Sequence, residues 1–320
     1  MIDSYPEEGN LANITALKPP ANGGAPYNVL LDLARLKVDL PLQGIGVLGD
    51  DENADFILND CRAHGIDTEL LVKKEGLSTS FTDVFNVEST GHRTFFHNRG
   101  ANAHLDIDHF NIDKISGRII LLGYLLLLDS LDAEDAEFGT RGAKLLKKLS
   151  DAGLETAIDV VSENSDRFAK IVFPALPYVD YLIINEVEVG KIVKLPVRNQ
   201  SDSKINMKLL EKAAEIMLEE GVRKRVIVHF PEGAYSYSKE GKEKIFVPSL
   251  KLPSGFIKGA TGAGDAFCAG CLYGLYSGWE TERILKFGSG MAAACLSNPA
   301  SSEGIKPYDE IMAIIDKYDV

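Results

Sequence analysis

The chain has 320 residues, 45% of them hydrophobic and 25% charged, the make-up of an ordinary globular protein with room for one large α/β domain or two small ones. Its 34 basic and 47 acidic side chains leave a formal net charge of −13, which argues against a nucleic-acid partner and against an anionic membrane surface. Phosphate ligands stay open, because backbone N–H groups can hold an anion on an acidic protein.

Residues 3–24 are polar and rich in turn formers, with Pro-Pro at 19–20 and Gly-Gly at 23–24. A helical period then runs over 26–36, a short strand over 44–48, and a helix over 53–64 that Gly65 closes. Between 66 and 102 the pattern changes to strands at 67–74, 80–87 and 93–97, with turn signals at Glu75-Gly76 and Ser89-Thr90-Gly91. Short polar turns between strands predict antiparallel hairpins, a β insert in the chain. From 106 onward strands and helices alternate. Strands are predicted at 118–122, 155–161, 181–184, 225–230, 234–238 and 244–247. Helices are predicted at 135–152, 165–173, 186–193, 208–220, 263–278, 280–296 and about 308–317, with a polar loop at 196–203. This alternation implies one α/β unit over 1–320, a mostly parallel sheet with helices on both faces, whose ligands bind at the carboxyl ends of the strands. Lid segments are placed at about 11–22 and 66–102.

Four cysteines in so long a chain are no disulfide framework. Cys268 and Cys271 form a C-x-x-C inside an apolar helical stretch and read as packed thiols, with a redox pair as the alternative. Residues 1–5 have neither the basic nor the apolar region of a signal peptide, and the apolar run 119–128 is about half the ~20 residues of a membrane span, so a cytoplasmic protein with no membrane association is expected.

The most informative stretch is 258–270. Gly259, Gly262 and Gly264 make a turn that side chains do not obstruct, and an apolar helix follows directly. The first N–H groups of that helix lack internal partners and carry the positive end of its dipole, which makes an anion site. Asp265 stands at the helix start, placed to take a proton from a hydroxyl that attacks a γ-phosphate. Taken alone, the turn reads equally as a helix with an aspartate in its first turn.

Gly262-Ala263-Gly264-Asp265 with Ala266-Phe267 and Gly270 resembles the second signature of the PfkB, ribokinase-like, carbohydrate kinases. Residues 22–28 (Asn-Gly-Gly-Ala-Pro-Tyr-Asn) followed by 46–51 resemble the first signature, and Asn185-Glu186-Val187-Glu188 matches the N-x-x-E motif, all in the family's order. The resemblance implies a three-layer ribokinase-like fold with a small β lid, and transfer of the γ-phosphate of ATP to a hydroxyl of a sugar or sugar-like molecule. It makes Asp265 the catalytic base and Gly262, Ala263 and Gly264 the anion hole. Asn185 and Glu188 would organise Mg²⁺ and the ATP phosphates, Glu188 through water; without the resemblance they read as a helix cap and a solvated helix face. Thr261 and His229 complete the implied nucleotide side, His229 reading otherwise as a structural strand-end residue. Asp3, Gly23, Gly24 and Asn28 match the part that grips the substrate, and Arg93, Asn98 and Arg99 of the lid are its further candidates. Lid strands in the family often pair between subunits, which gives a homodimer as the expected assembly.

The chain departs from the family at three places. Gly259 and Ala260 stand for the first Asp and Thr of D-T-x-G-A-G-D, which removes the support for a monovalent cation. His229-Phe230-Pro231 stands near the usual T-x-G. The family's full apolar first strand has only Met1 and Ile2 to represent it; because losing a central strand costs several kcal/mol of burial and hydrogen bonding, further residues before Met1 are an expectation for the full protein. The differences on the nucleotide side keep a second reading, a sugar- or nucleoside-binding relative with impaired catalysis, beside the kinase. A dinucleotide oxidoreductase is a poor third, because its G-x-G-x-x-G should follow the first strand.

Overall fold

The computed structural model describes residues 1–90, 92–161 and 165–319. The turn expected at 89–91 therefore lies in part, at Gly91, outside the described residues.

Ile2 forms only isolated bridges, to Ile14 and Val87. Helix α1 (Ala25–Arg35) carries Pro26 in its first turn, where a missing N–H leaves nothing unpaired. Strand β1 (Gln43–Leu48) leads through α2 (Glu52–Ala63) into β2 (Asp67–Lys73), and β2 pairs with β1 in parallel. The expected antiparallel character of 66–102 is thus confined to β3 (Phe81–Asn86) and β4 (Arg93–Asn98). The α2 crossover returns β2 alongside β1 in the same direction, which a tight hairpin could not do.

β5 (Ile119–Leu125) runs further than expected because the apolar run continues into the core at Leu122 and Leu125. The helix expected over 135–152 starts late. A short α3 (Asp129–Asp132) and the two-residue strands β6 (Glu134–Asp135) and β7 (Gly139–Thr140) precede α4 (Arg141–Asp151). Local side-chain bonds displace the first helical turns. The Asp135 carboxylate accepts from Glu137 N at 3.0 Å and Phe138 N at 3.1 Å, and Gly139 sits at φ +79°. Thr140 then caps α4 by accepting from Ala143 N at 3.1 Å.

The rest alternates as expected: β8 (Glu155–Val160), α5 (Phe168–Val172), β9 (Tyr181–Asn185), α6 (Glu186–Val193), α7 (Met207–Glu219), β10 (Arg225–Phe230), β11 (Gly233–Ser238), β12 (Lys244–Pro248), α8 (Ala263–Tyr276), α9 (Thr281–Leu296) and α10 (Tyr308–Tyr318). Helix α5 is shorter than the predicted 165–173, because Ser165 Oγ accepts from Arg167 N and bends the chain there. The main sheet has the order β12-β11-β10-β9-β8-β5. β5, β8, β9 and β10 run parallel, and β11 and β12 are antiparallel.

Side chains alternate between the two faces of this sheet. Ile158, Leu182, Ile184, Val226 and Val228 pack with α4, α6 and α7 on one side. Ala157, Ile183 and Ile227 pack with α1, α8 and α9 on the other. This is the ribokinase-like three-layer arrangement, with the small β3–β4 sheet outside it. Cys268 and Cys271 are free thiols packed inside α8, as the apolar helix pattern indicated. No helix among the described residues is long and apolar enough to cross a membrane.

Candidate active site

Parallel strands deliver their carboxyl ends to one edge of the sheet, so residues distant in sequence meet there. Tyr124 lies next to the end of β5, Asp159 next to the end of β8, Asn185 ends β9, and His229, paired with Asn185 across the ladder, lies next to the end of β10. Together with Glu188 and the start of α8 they line a cavity of about 230 Å³.

Gly262 caps α8 at φ +81°, and a Cβ on it would lie 2.6 Å from the Ser301 carbonyl oxygen. Only glycine fits both the left-handed backbone and that close approach. The first helical bond is Ala266 N to Gly262 O at 2.8 Å, so the amides of Ala263, Gly264 and Asp265 have no partner within the helix. They form an open cradle of N–H groups at the cavity edge, which Gly262 and Gly264 line.

Asp265 is fixed from two sides. Its Oδ2 accepts from Asn28 Nδ2 at 2.6 Å, and its Oδ1 accepts from the Tyr124 hydroxyl at 3.3 Å. Burial raises its carboxyl above the usual carboxylate range, while the Asn28 and Tyr124 bonds pull it back down. Tyr124 itself is held firmly protonated by burial and by the Asp265 charge, so it acts as a donor.

Asn185 and Glu188 form a capping box at the start of α6. Asn185 Oδ1 accepts from Glu188 N at 2.9 Å, and Glu188 Oε2 accepts from Asn185 N at 2.9 Å. Asn185 is thus the helix cap its sequence suggested, Glu188 is buried rather than on a solvated helix face, and both residues line the cavity. Glu188 is 5% exposed. Beside it Asp159 is pushed well above its usual range by burial, then by the Glu188 and Asp265 charges. His229 lies against the cradle, with its Cε1 3.2 Å from where a Gly264 Cβ would stand, and its ring packs on Phe267 at 5.0 Å. Burial lowers it to about 4, so it meets the cradle as a neutral imidazole.

The remaining sequence candidates are spread more widely. Arg93 Nη1 donates to Thr261 Oγ1, joining the β3–β4 hairpin to the glycine turn. Arg99 pairs with Asp129, and Asn98 Oδ1 accepts from Gly100 N at 2.9 Å within its own turn. Gly24 caps α1 at φ +84° and Gly23 precedes it. Asp3 is exposed and turned toward its own loop, accepting from Asn13 Nδ2 at 2.8 Å and from Ser4 N at 2.7 Å. Asn28, read as a substrate contact, has both ends of its amide engaged, by Asp265 and by Asn22 at 2.6 Å.

Asp159 and Tyr124 escaped the sequence reading. Each had a signal: Asp159 is the one acid near the end of an otherwise buried strand pattern, and Tyr124 is the one polar tip in the apolar run 119–128. Among the described residues no group of three or more His, Cys, Asp or Glu is arranged to hold a metal ion by itself.

Comparisons with known proteins agree with this geometry. A sequence profile of the pfkB family carbohydrate kinases matches residues 20–307. A 5-dehydro-2-deoxygluconokinase from Clostridium perfringens is 26% identical over 306 residues, covering 92% of this chain and 84% of that protein. A ribokinase from Thermotoga maritima shares the fold with a TM-score of 0.76 at 20% identity, over 98% of this chain and 94% of that one. A protein described as ribokinase II from E. coli, solved with ATP and Mg²⁺, gives 0.71 at 21% identity over 97% and 95%. The motifs at 22–28, 46–51, 185–188 and 262–265 all fall inside the matched span, and this chain belongs to the pfkB family of carbohydrate kinases, phosphotransferases whose acceptor is an alcohol group.

Proposed function

We propose that the chain transfers the γ-phosphate of ATP to a hydroxyl of a sugar acid held over Asp265. The observation that carries this reading is the junction at the start of α8. A carboxylate fixed at 2.6 Å by Asn28 directly follows the Gly262–Gly264 turn and its open amides, at the floor of one cavity. In the reaction the acceptor O–H bond breaks and its proton passes to Asp265. The new O–P bond forms as the bond from the γ-phosphorus to the β,γ-bridging oxygen breaks, and ADP leaves. The amides of Ala263 and Gly264, with the positive end of the helix, face the charge on the transferred group. Burial makes Asp265 a stronger proton acceptor than an exposed carboxylate.

The donor set suits a nucleotide-bound Mg²⁺. Asp159 and Glu188 are acids crowded into one cavity, and a divalent cation would relieve the burden on Asp159. Mg²⁺ keeps several waters, so two carboxylates acting through water suffice to hold it, and it would neutralise charge on the β- and γ-phosphates. Gly259 offers no carboxylate for a monovalent cation.

A sugar acid is favoured as acceptor by two facts. Curated relatives are named for 5-dehydro-2-deoxygluconate, and Arg93 places a guanidinium between the hairpin and the cradle. The exposed Phe81, Phe95 and Phe96 of the hairpin favour a homodimer through the lid, which sedimentation would test.

The decisive assay is ADP release from MgATP against a panel of sugars, sugar acids and nucleosides. Turnover is expected on a sugar acid, and Asp265→Asn is expected to lower it by roughly 10²–10⁴-fold with nucleotide binding kept. Near-normal turnover in Asp265→Asn would remove the base role. Tight acceptor binding without ADP release in any case would favour the impaired binder.

A further inference from the structure

A line of polar groups runs from Asp265 away from the cavity and into the interior. Asp265 Oδ2 accepts from Asn28 Nδ2 at 2.6 Å, and Asn28 Oδ1 accepts from Asn22 Nδ2 at 2.6 Å. The same Asn22 nitrogen donates to Ser302 Oγ at 2.9 Å, and Ser301 Oγ donates to the Asn22 carbonyl at 3.0 Å. Asn28 is 3% exposed and Ser302 is fully buried. At the far end stands Asp32, one helical turn beyond Asn28 on α1 and also fully buried. Neither of its oxygens has a hydrogen-bond partner among the described residues, and the Ser302 hydroxyl is the polar group that faces them.

A buried carboxyl with no role would be replaced to advantage by an apolar residue, because unpaired polar burial is destabilising. Its role follows from donor and acceptor counting. Ser302 Oγ already accepts from Asn22, so its own proton must point elsewhere. Asp32, whose two buried oxygens are both unused as acceptors, is the group near Ser302 that could take it.

We propose that Asp32 is a positioning residue: by taking the Ser302 proton it fixes the direction of the Ser302–Asn22–Asn28 hydrogen bonds, and so keeps the N–H side of the Asn28 amide against Asp265. With the amide reversed, a carbonyl oxygen would face the Asp265 carboxylate, and the base would be repelled from its place. This role rests on the reading of Asp265 as the base.

The groups around Asp32 are Asp265 and Cys268 from α8, Cys295 from α9, Ser302 from the loop after it, and Arg35 from its own helix. Burial and the Asp265 charge outweigh Ser302 and Arg35 and push the Asp32 carboxyl up to about 8. At neutral pH its carbonyl oxygen serves as acceptor; at higher pH the ionised group adds a charge behind the base.

The test compares steady-state kinetics of Asp32→Ala, Asp32→Asn and Ser302→Ala, with Asp265→Asn alongside. Asp32→Ala and Ser302→Ala should each lower kcat by about 10- to 100-fold with the KM for ATP unchanged, the scale of a misplaced catalytic group. Asp32→Asn retains a carbonyl acceptor of the same shape. It should restore kcat to within about twofold at neutral pH and abolish the change in kcat expected of the wild type near pH 8. Wild-type kcat in both truncations overturns the proposal, as does an Asp32→Asn enzyme as slow as Asp32→Ala. If Asp32→Ala does not fold, Ser302→Ala decides, and normal kcat there overturns it. An inactive Asp265→Asn beside normal truncations removes the positioning role alone, whereas an active Asp265→Asn removes the base and this role with it.

Discussion

Asp32 also makes a prediction about stability that needs no substrate. In an unfolded chain its carboxyl titrates near 3.8, and burial in the folded protein raises it to about 8. A raised carboxyl is fully stabilising only below the unfolded value, and its contribution is lost as pH climbs toward the folded one. Between pH 5 and 7 the folded state holds close to one proton more than the unfolded state at this site. Stability therefore falls by about 1.4 kcal/mol per pH unit from this group, or about 2.6 kcal/mol over the interval. Asp32→Asn removes that slope and leaves the contributions of all other groups in place. Urea unfolding of both proteins at several pH values between 5 and 8 measures it. The gap between the two should move by about 2.6 kcal/mol in favour of Asn from pH 5 to 7, by about 1 kcal/mol more up to pH 8, and then flatten. Parallel curves would show that Asp32 ionises in the folded protein as it does in water, and would refute the burial argument.

Three further outcomes are expected. Tyr124→Phe removes a donor that lowers the Asp265 pKa, so the acid limb of the kcat/KM profile should move to higher pH; an unmoved limb separates Tyr124 from the base. Gly262→Ala forces a Cβ against the Ser301 carbonyl at a left-handed backbone, which should destabilise by roughly 1–3 kcal/mol and weaken ATP binding measured by calorimetry. Thr140→Ala deletes the α4 cap and should cost about 1 kcal/mol in urea unfolding with kinetics unchanged, because the cap is remote from the cavity-lining residues.

Much of the layered fold was legible from the chain. A continuous apolar run such as Leu182-Ile183-Ile184 announces a strand buried on both faces, and the glycine turn followed by an apolar helix announces α8. What failed was decided by partners far away or by local competition. β2 reads the same whether its neighbour is β1 or β3, and only the α2 crossover makes the pairing parallel. The early part of 135–152 has helical periodicity, yet Asp135 spends its carboxylate on two backbone amides and ends that option. At the site, Asp265 and the 185–188 motif carried their own local pattern, whereas Asp159 and Tyr124 become notable only when four strand ends meet. The Asn22–Asn28–Ser302 line joins segments separated by up to 280 positions, and no local pattern can reveal such a contact.

The bond between Arg93 and Thr261 ties the β3–β4 hairpin to the glycine turn. Any displacement of the hairpin would break that bond, and the turn would lose this anchor with it. On the proposed reading, an acceptor that held the hairpin in place would also steady the turn that faces the phosphate.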